Sequence, residues 1–263
     1  MPGTPVVFVH GLWLHAESWA PWVERFDAAG YSASAPGWPG DASTVAETRA
    51  SPGRMAGDGI DAVVEHYADA IGSLGAKPIV IGHSFGGLIA QRLLGQGLAA
   101  AAVGIDPAPI KGVMFLPLSA LRVASVALRN PANRKRAVSL TREQFRYGFG
   151  NALPPAESDE LYERWTIPSP GRPLFEAAVA NFATHSPAQI DTHNAARGPL
   201  LLTAGGRDHT VPRAVVTQTR KLYKSAAVTE VKEFPDRGHS LTIDRGWHEV
   251  ADAVLEWLRG RSL

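Results

Sequence analysis

The most constraining stretch of the sequence runs from Pro78 to Leu94 and predicts a buried strand, a tight turn and a helix in direct succession. Pro78 to Ile81 is wholly apolar and mostly β-branched, which is typical of a strand buried on both faces. The pentapeptide Gly82-His83-Ser84-Phe85-Gly86 follows, and residues 88–94 have the spacing of an amphipathic helix. Glycine has no Cβ, so glycines on both sides of a serine let strand and helix backbones approach closely. This context predicts that Ser84 lies on a strained nucleophile elbow, the alternative being an ordinary turn with a solvated serine.

Length, charge and cysteine content narrow the class of protein. The 263 residues suffice for one large α/β domain, or a domain with an insertion. A net charge of +1 gives no long-range field that would favour nucleic acid or an anionic membrane surface. The lack of cysteine excludes disulfides, thiolate metal sites and cysteine nucleophiles.

The apolar runs of the chain are too short for membrane insertion. No stretch approaches the roughly 18 apolar residues of a spanning helix. Met1 to Thr4 lacks the basic start of a signal peptide. We therefore expect a cytoplasmic protein with neither a membrane span nor a nucleic-acid partner, and the oligomeric state stays open.

Strand-like and helix-like segments alternate along the chain. Strands are predicted at residues 6–10, 31–35, 78–81, 101–106, 199–204 and 228–234. Ser18 is the expected cap of the helix that follows the first strand. Repeated βα units predict an α/β fold with a mostly parallel central sheet of about six strands flanked by helices.

Residues 110–198 interrupt this alternation, because they contain helical segments and many aromatics but no convincing strand. We interpret them as a helical lid, or cap, inserted after the fourth strand. Residues 1–109 and 199–263 would then form the core domain.

Reactive side chains follow the predicted strands at their carboxyl ends, where open α/β sheets hold their sites. A serine nucleophile needs a base, and His239, just beyond the last strand, is the candidate. Asp208, after the preceding strand, would orient the imidazole. The backbone N–H groups of Leu12 and Phe85 are natural donors to the negative charge that develops on a substrate carbonyl oxygen.

Asp106 is the main alternative to Asp208 as the acid, since it also ends a strand. Asp208 is favoured by its surroundings, Gly205-Gly206 before it and Val211-Pro212 after it. Among the histidines, His10 is expected to shape its turn and His83 to pack under the elbow. The remaining histidines have no second ligand at metal spacing, so neither a metal nor a cofactor is expected.

These motifs together resemble the α/β-hydrolase fold. The matching pieces are His10-Gly11-Leu12-Trp13, the pentapeptide around Ser84, Gly205-Gly206-Arg207-Asp208 and Gly238-His239, in the family's order of serine, acid and histidine. One departure is that the chain opens on the strand carrying the oxyanion turn, so the two leading antiparallel strands common in the family are not expected. The resemblance implies esterase- or lipase-like hydrolysis through an acyl-enzyme, without a cofactor.

The expected substrate is a small-molecule ester or lactone with a fairly apolar group, because the candidate site is flanked by apolar residues. The predicted pocket residues are Trp13, Ile110, Phe115, Phe149, Trp165 and Leu241. The same fold and triad also support C–C bond hydrolysis, thioester hydrolysis and perhydrolysis, and the fold does not choose among them. A non-catalytic ligand receptor on a hydrolase scaffold is a further alternative, although the three filled triad positions argue against it.

Overall fold

The computed structural model describes residues 3–263. The strands are β1 (Pro5–Val9), β2 (Ser32–Ser34), β3 (Ile79–His83), β4 (Ala101–Ile105), β5 (Ala137–Val138), β6 (Ser169–Pro170), β7 (Leu200–Gly205) and β8 (Thr229–Phe234). The α-helices are α1 (Ala20–Ala28), α2 (Val45–Ala50), α3 (Ile60–Gly72), α4 (Phe85–Gly95), α5 (Leu118–Leu128), α6 (Arg142–Gly148), α7 (Pro155–Trp165), α8 (Arg172–Ala178), α9 (Arg213–Leu222) and α10 (Trp247–Arg259). Within residues 3–263, no helix is both long and apolar enough to cross a membrane.

Six of the strands form one sheet in the order β2-β1-β3-β4-β7-β8, and every neighbouring pair is parallel. The prediction of a largely parallel sheet of about six strands is confirmed. The chain first adds β2 on one side of β1 and then crosses to add β3 on the other. This topological switch point between β1 and β3 is where open α/β sheets form a crevice at the carboxyl ends of their strands.

Successive residues of the central strands point to opposite faces of the sheet, and each face has its own hydrophobic core. Val6 and Phe8 of β1 pack with Trp22 of α1 and Val254 of α10 on one face. Val7 and Val9 join the core on the other face, which contains residues of α3, α4 and α9 and of the segment between β4 and β7. Burial on both faces explains why the central strands are nearly continuous apolar runs.

The segment between β4 and β7 contains α5 to α8, in agreement with its helical periodicity, but it also contains a small ribbon. Strands β5 and β6 pair antiparallel, with Ala137 opposite Pro170 and Val138 opposite Ser169. The expectation of a segment without strands was therefore wrong. Two-residue strands from distant parts of the chain leave no periodicity in the sequence. The role of this insertion as a lid stays a prediction.

The first helix is not capped by Ser18, contrary to the prediction from the sequence. A 3₁₀ turn occupies Ala16–Trp19, and its cap is His15, whose Nδ1 accepts from the Glu17 N–H at 3.2 Å. Helix α1 follows at Ala20 with Pro21 in its first turn, where the missing N–H of proline costs nothing. Ser18 is buried within the 3₁₀ turn instead of capping α1.

Candidate active site

The turn between β3 and α4 holds Ser84 in a strained conformation, with φ 55° and ψ −120°. Such a positive φ is uncommon for a residue with a Cβ and marks a site where the surrounding structure imposes the geometry. A Cβ on Gly82 would lie 2.0 Å from the Gly86 carbonyl oxygen, and one on Gly86 would lie 2.1 Å from the Val9 carbonyl oxygen. Only glycine fits at either position. The two glycines therefore allow the close packing of β1, β3 and α4 that places Ser84 at the carboxyl end of β3.

An acid–base pair lies at the carboxyl ends of β7 and β8. The Nδ1 of His239 is 2.6 Å from Oδ2 of Asp208, and both side chains are fully buried. The other carboxylate oxygen, Oδ1, accepts the backbone N–H groups of Thr210 at 2.6 Å and Val211 at 2.8 Å. These bonds fix the carboxylate, and the carboxylate in turn fixes the plane of the imidazole.

Burial sets the charge state of this pair. It raises the pKa of Asp208 to about 6, opposed by the side chain of Asp106 and by the backbone N–H groups of Val211 and Thr210, and it lowers the pKa of His239 to about 4. At neutral pH Asp208 is therefore a carboxylate and His239 a neutral imidazole that donates its Nδ1–H. Its Nε2 is buried and has no hydrogen-bond partner within residues 3–263. That lone pair can accept a proton.

Two aromatic rings enclose His239. The ring of Phe149, from the insertion, lies edge-on with its centroid 4.8 Å from that of His239. The ring of His83, within the elbow, lies 4.5 Å away on centroids, and its Nε2 is 2.9 Å from the His239 carbonyl oxygen. Burial lowers the pKa of His83 well below its usual range, so it is neutral and can donate Nε2–H to that carbonyl.

The turn after β1 also approaches Ser84 closely. A Cβ on Gly11 would lie 2.8 Å from the Ser84 Cβ, so glycine is required for this approach. The His10 ring bonds the backbone of its turn as expected, because its Nδ1 lies 2.9 Å from the Gly11 carbonyl oxygen. The His10 carbonyl in turn accepts from Trp38 Nε1–H at 2.9 Å. Leu12 is the next residue of this turn. Phe85 is the first residue of α4, where a backbone N–H has no acceptor within its own helix.

Trp13 adopts a positive φ of 67° and is hydrogen-bonded to the insertion. Its backbone N–H donates to Ser169 Oγ at 2.6 Å, and its Nε1–H donates to the Val138 carbonyl at 3.0 Å. Its own carbonyl accepts the Ile167 N–H at 3.0 Å. The turn is therefore held by both strands of the small ribbon.

Asp106, the alternative acid, is brought to the same place. It is fully buried at the end of β4 with φ 43°, and it accepts from Thr203 Oγ1 and from the Gly205 N–H, each at 3.0 Å. One side-chain oxygen or nitrogen atom from each of Asp106, Asp208 and His239 lies within 4.8 Å of those of the other two. The direct bond to the imidazole is made by Asp208.

A cavity of about 180 Å³ opens next to Ser84 between the core and the insertion. From the core it is lined by Leu12, Trp13, Ser84, Phe85, Ala108, Pro109, Thr210, Val211 and Val215, and from the insertion by Leu116, Ala120, Leu121, Val123, Ala124, Leu128, Leu174, Ala177 and Ala178. Apart from the hydroxyls of Ser84 and Thr210, these described side chains are aliphatic or aromatic. The cavity therefore suits an uncharged, apolar group.

The predicted pocket residues are distributed differently from the expectation. Trp13 lines the cavity, and Phe149 covers His239. Leu241 is buried in the core on the α1–α10 face of the sheet, and Phe115 is 62% exposed, so neither of them lines this cavity.

The two other predicted pocket residues also lie outside the cavity lining. Trp165 lines a separate cleft beside Arg245. Ile110 is buried in the core, next to the lining residue Pro109.

The lining residues that the sequence analysis missed are mostly small aliphatics. The prediction favoured large aromatic residues, whereas small side chains are the ones that leave space for a cavity. A signal was present. Leu116, Ala120, Ala124 and Leu128 recur every four residues, which places them along one face of α5 and the turn before it.

Comparisons with known proteins agree with this fold. The family model described as the alpha/beta hydrolase family matches residues 6–253. Similar solved structures include a monoacylglycerol lipase from Paleococcus ferrophilus, with a TM-score of 0.69, 22% identity and coverage of 98% of this chain and 96% of that one. A methylesterase from Arabidopsis has a TM-score of 0.68 and 14% identity, covering 97% of this chain and 99% of that one.

A pyrethroid hydrolase from Sphingobium faniae is also similar, with a TM-score of 0.65, 19% identity and coverage of 97% of this chain and 96% of that one. At such identities these structures establish a shared fold only. The comparison with curated proteins returned no significant match. The family match spans both the strands that carry the candidate site and the insertion that covers it, and the chain belongs to the alpha/beta hydrolase family.

Proposed function

We propose that this protein is a serine hydrolase that cleaves a carboxylic ester of an apolar, uncharged small molecule through an acyl-enzyme. The observation that carries the proposal is the position of an apolar cavity directly beside a strained serine and a buried histidine–aspartate pair. Similar structures include a lipase, a methylesterase and a pyrethroid hydrolase, which supports ester chemistry in general.

In the proposed reaction, Ser84 Oγ attacks the carbonyl carbon while its proton passes to His239 Nε2. The carboxylate of Asp208 stabilises the imidazolium that forms. His239 then returns the proton to the leaving alkoxide, which departs as the alcohol. A water molecule repeats the sequence on the acyl-serine and releases the carboxylic acid, which regenerates Ser84. Ser84 and His239 share no hydrogen bond within the described residues, and such bonds often tighten only when substrate binds.

The negative charge of the tetrahedral intermediate would be stabilised by the backbone N–H groups of Leu12 and Phe85. Phe85 N–H lacks an intrahelical acceptor and lies at the positive end of the α4 dipole. The close approach of Gly11 to Ser84 brings the Leu12 turn to the same side. Preorganised donors of this kind are commonly worth ~10²–10³-fold in kcat.

The insertion, residues 110–198, would act as the lid that selects the substrate. It supplies half of the cavity wall from α5, α8 and Leu116, and Phe149 excludes water from His239. An uncharged group of medium size is expected, because neither wall offers a charged partner among the described lining residues.

The test combines labelling with turnover. A fluorophosphonate probe should label the wild-type protein at Ser84, as located by peptide mass spectrometry, and should not label Ser84→Ala. A panel of p-nitrophenyl esters, lactones, thioesters and a C–C substrate then assigns the bond that is cleaved. A folded wild-type protein that neither reacts with the probe nor turns over any ester would refute the proposal and favour a ligand receptor.

A further inference from the structure

We propose a role for Asp106 that rests on the hydrolase function above: it is a positioning residue that keeps its carboxyl proton and donates it in a hydrogen bond to the Asp208 carboxylate. Asp106 would then lie behind the triad of Ser84, His239 and Asp208 without being a member of it. It never touches substrate.

The geometry of the two carboxyl groups supports this role. Asp106 directly follows β4, and Asp208 follows β7, which is the neighbouring strand of the sheet. Both side chains are buried, and they lie within 4.8 Å of each other and of His239. Two carboxylates confined this closely away from water cannot both be ionised, so one of them holds a proton.

The hydrogen-bond donors around each group decide which one is charged. Asp208 receives three N–H groups, from Thr210, Val211 and the imidazole of His239. Asp106 receives two donors, the Thr203 hydroxyl and the Gly205 N–H. Asp208, which accepts more hydrogen bonds, is the carboxylate anion, and Asp106 is the protonated acid.

The titratable groups facing Asp106 agree with that assignment. They are Asp208, from the loop after β7, and His239, from the loop after β8, with His83 of β3 beyond the imidazole. Burial raises the pKa of Asp106 well above its usual range, and the charge of Asp208 adds to this effect. The proposed hydrogen bond from Asp106 would lower the pKa of Asp208 in return.

The proposed proton has a defined task. By donating to Asp208 it lowers the pKa of that group. Asp208 therefore stays a carboxylate, and still accepts the hydrogen bond from His239 Nδ1–H, down to lower pH. During acylation the proton of Ser84 moves to His239, while the proton of Asp106 stays where it is. Asp106 therefore acts through Asp208.

Infrared spectroscopy of the full-length protein tests the protonation directly, without reference to turnover. At neutral pH the wild-type protein should show the carbonyl band of a protonated carboxylic acid, and Asp106→Asn should lack it. Asp236→Asn, the same change at a highly exposed position, is the matched control and should keep the band. A wild-type spectrum without this band, or a band that survives in Asp106→Asn, overturns the inference.

The pH profile of kcat/KM tests the hydrogen bond. Asparagine tolerates a positive φ and its amide can donate to Asp208, so Asp106→Asn should stay within about threefold of wild type with its acidic limb in place. Asp106→Gly also tolerates the backbone but has no donor, so its acidic limb should move up by about one pH unit. A loss in Asp106→Asn as severe as that in Asp208→Asn, or an unmoved limb in folded Asp106→Gly, contradicts the inference.

The two proposals can fail separately. If no substrate is turned over, the hydrolase proposal fails, while the infrared band still reports whether Asp106 is protonated. If esters are cleaved but the band is missing, only the role of Asp106 is wrong. Thermal unfolding of each variant, followed by circular dichroism, confirms that a changed profile belongs to a folded protein.

Discussion

A larger side chain on the cavity face of α5 should reduce the longest ester chain that the protein accepts. Ala124 lines the cavity, and Ala124→Leu would add three carbon atoms to a space of about 180 Å³. Those atoms would displace about three methylenes of a bound chain. Each buried methylene is worth ~0.8 kcal/mol, so the loss is ~2.4 kcal/mol, or roughly 50-fold in kcat/KM for the longer esters.

The assay is kcat/KM across two ester series, one lengthened on the acyl side and one on the alcohol side. In the series for which the wild-type rate rises with chain length, Ala124→Leu should flatten that rise while leaving the acetate ester within about twofold. Ser125→Leu, which adds a leucine to the exposed face of the same helix, is the control and should keep the wild-type slope. An equal loss on all chain lengths would refute the reasoning, since it would show that the cavity does not hold the variable chain.

Three further predictions follow from the site and the fold. Ser84→Ala and His239→Ala should each lower turnover by ~10⁴-fold while near-UV circular dichroism stays native; a residual rate near wild type would remove the residue from the mechanism. Since burial raises the pKa of Asp208 to about 6, kcat/KM should fall as the pH drops below about 6, because the protonated acid no longer orients the imidazole; a profile flat to pH 4 would contradict this. Gly86→Ala should lower the free energy of unfolding by at least ~1–3 kcal/mol, because its Cβ meets a backbone oxygen at 2.1 Å. Gly72→Ala, with open space around its Cβ at the end of α3, should change stability by at most ~1 kcal/mol in denaturant titrations.

The sheet and the elbow were predictable because their signals are local. A wholly apolar run such as residues 78–81 has few alternatives to a buried strand, and two glycines around a serine specify a turn that only glycine can form. Asp208 and His239 each follow a strand at its carboxyl end, which predicted their proximity, and their side chains are in contact. Those signals depend on backbone chemistry and strand ends, which the sequence displays directly.

Side-chain direction in irregular segments was not predictable in the same way. Leu241 follows His239 by two residues, yet its loop turns it into the opposite core. Phe115 precedes a lining residue but faces solvent. The contact between Asp106 and Asp208 required the strand order, because the insertion separates β4 from β7 in sequence although they are neighbours in the sheet.

The hydrogen bonds that join Trp13 to the insertion have a consequence for engineering. Trp13 belongs to the turn that would present Leu12 N–H to the substrate, and Val138 and Ser169 hold it from both strands of the ribbon. A chimera that received the insertion of a relative with different chemistry at Ser169 would lose one of the supports of that turn. An insertion should therefore be exchanged together with Trp13 and its turn. Alternatively, only the lining residues of α5 and α8 should be exchanged, because the cavity wall can then change without loosening the turn.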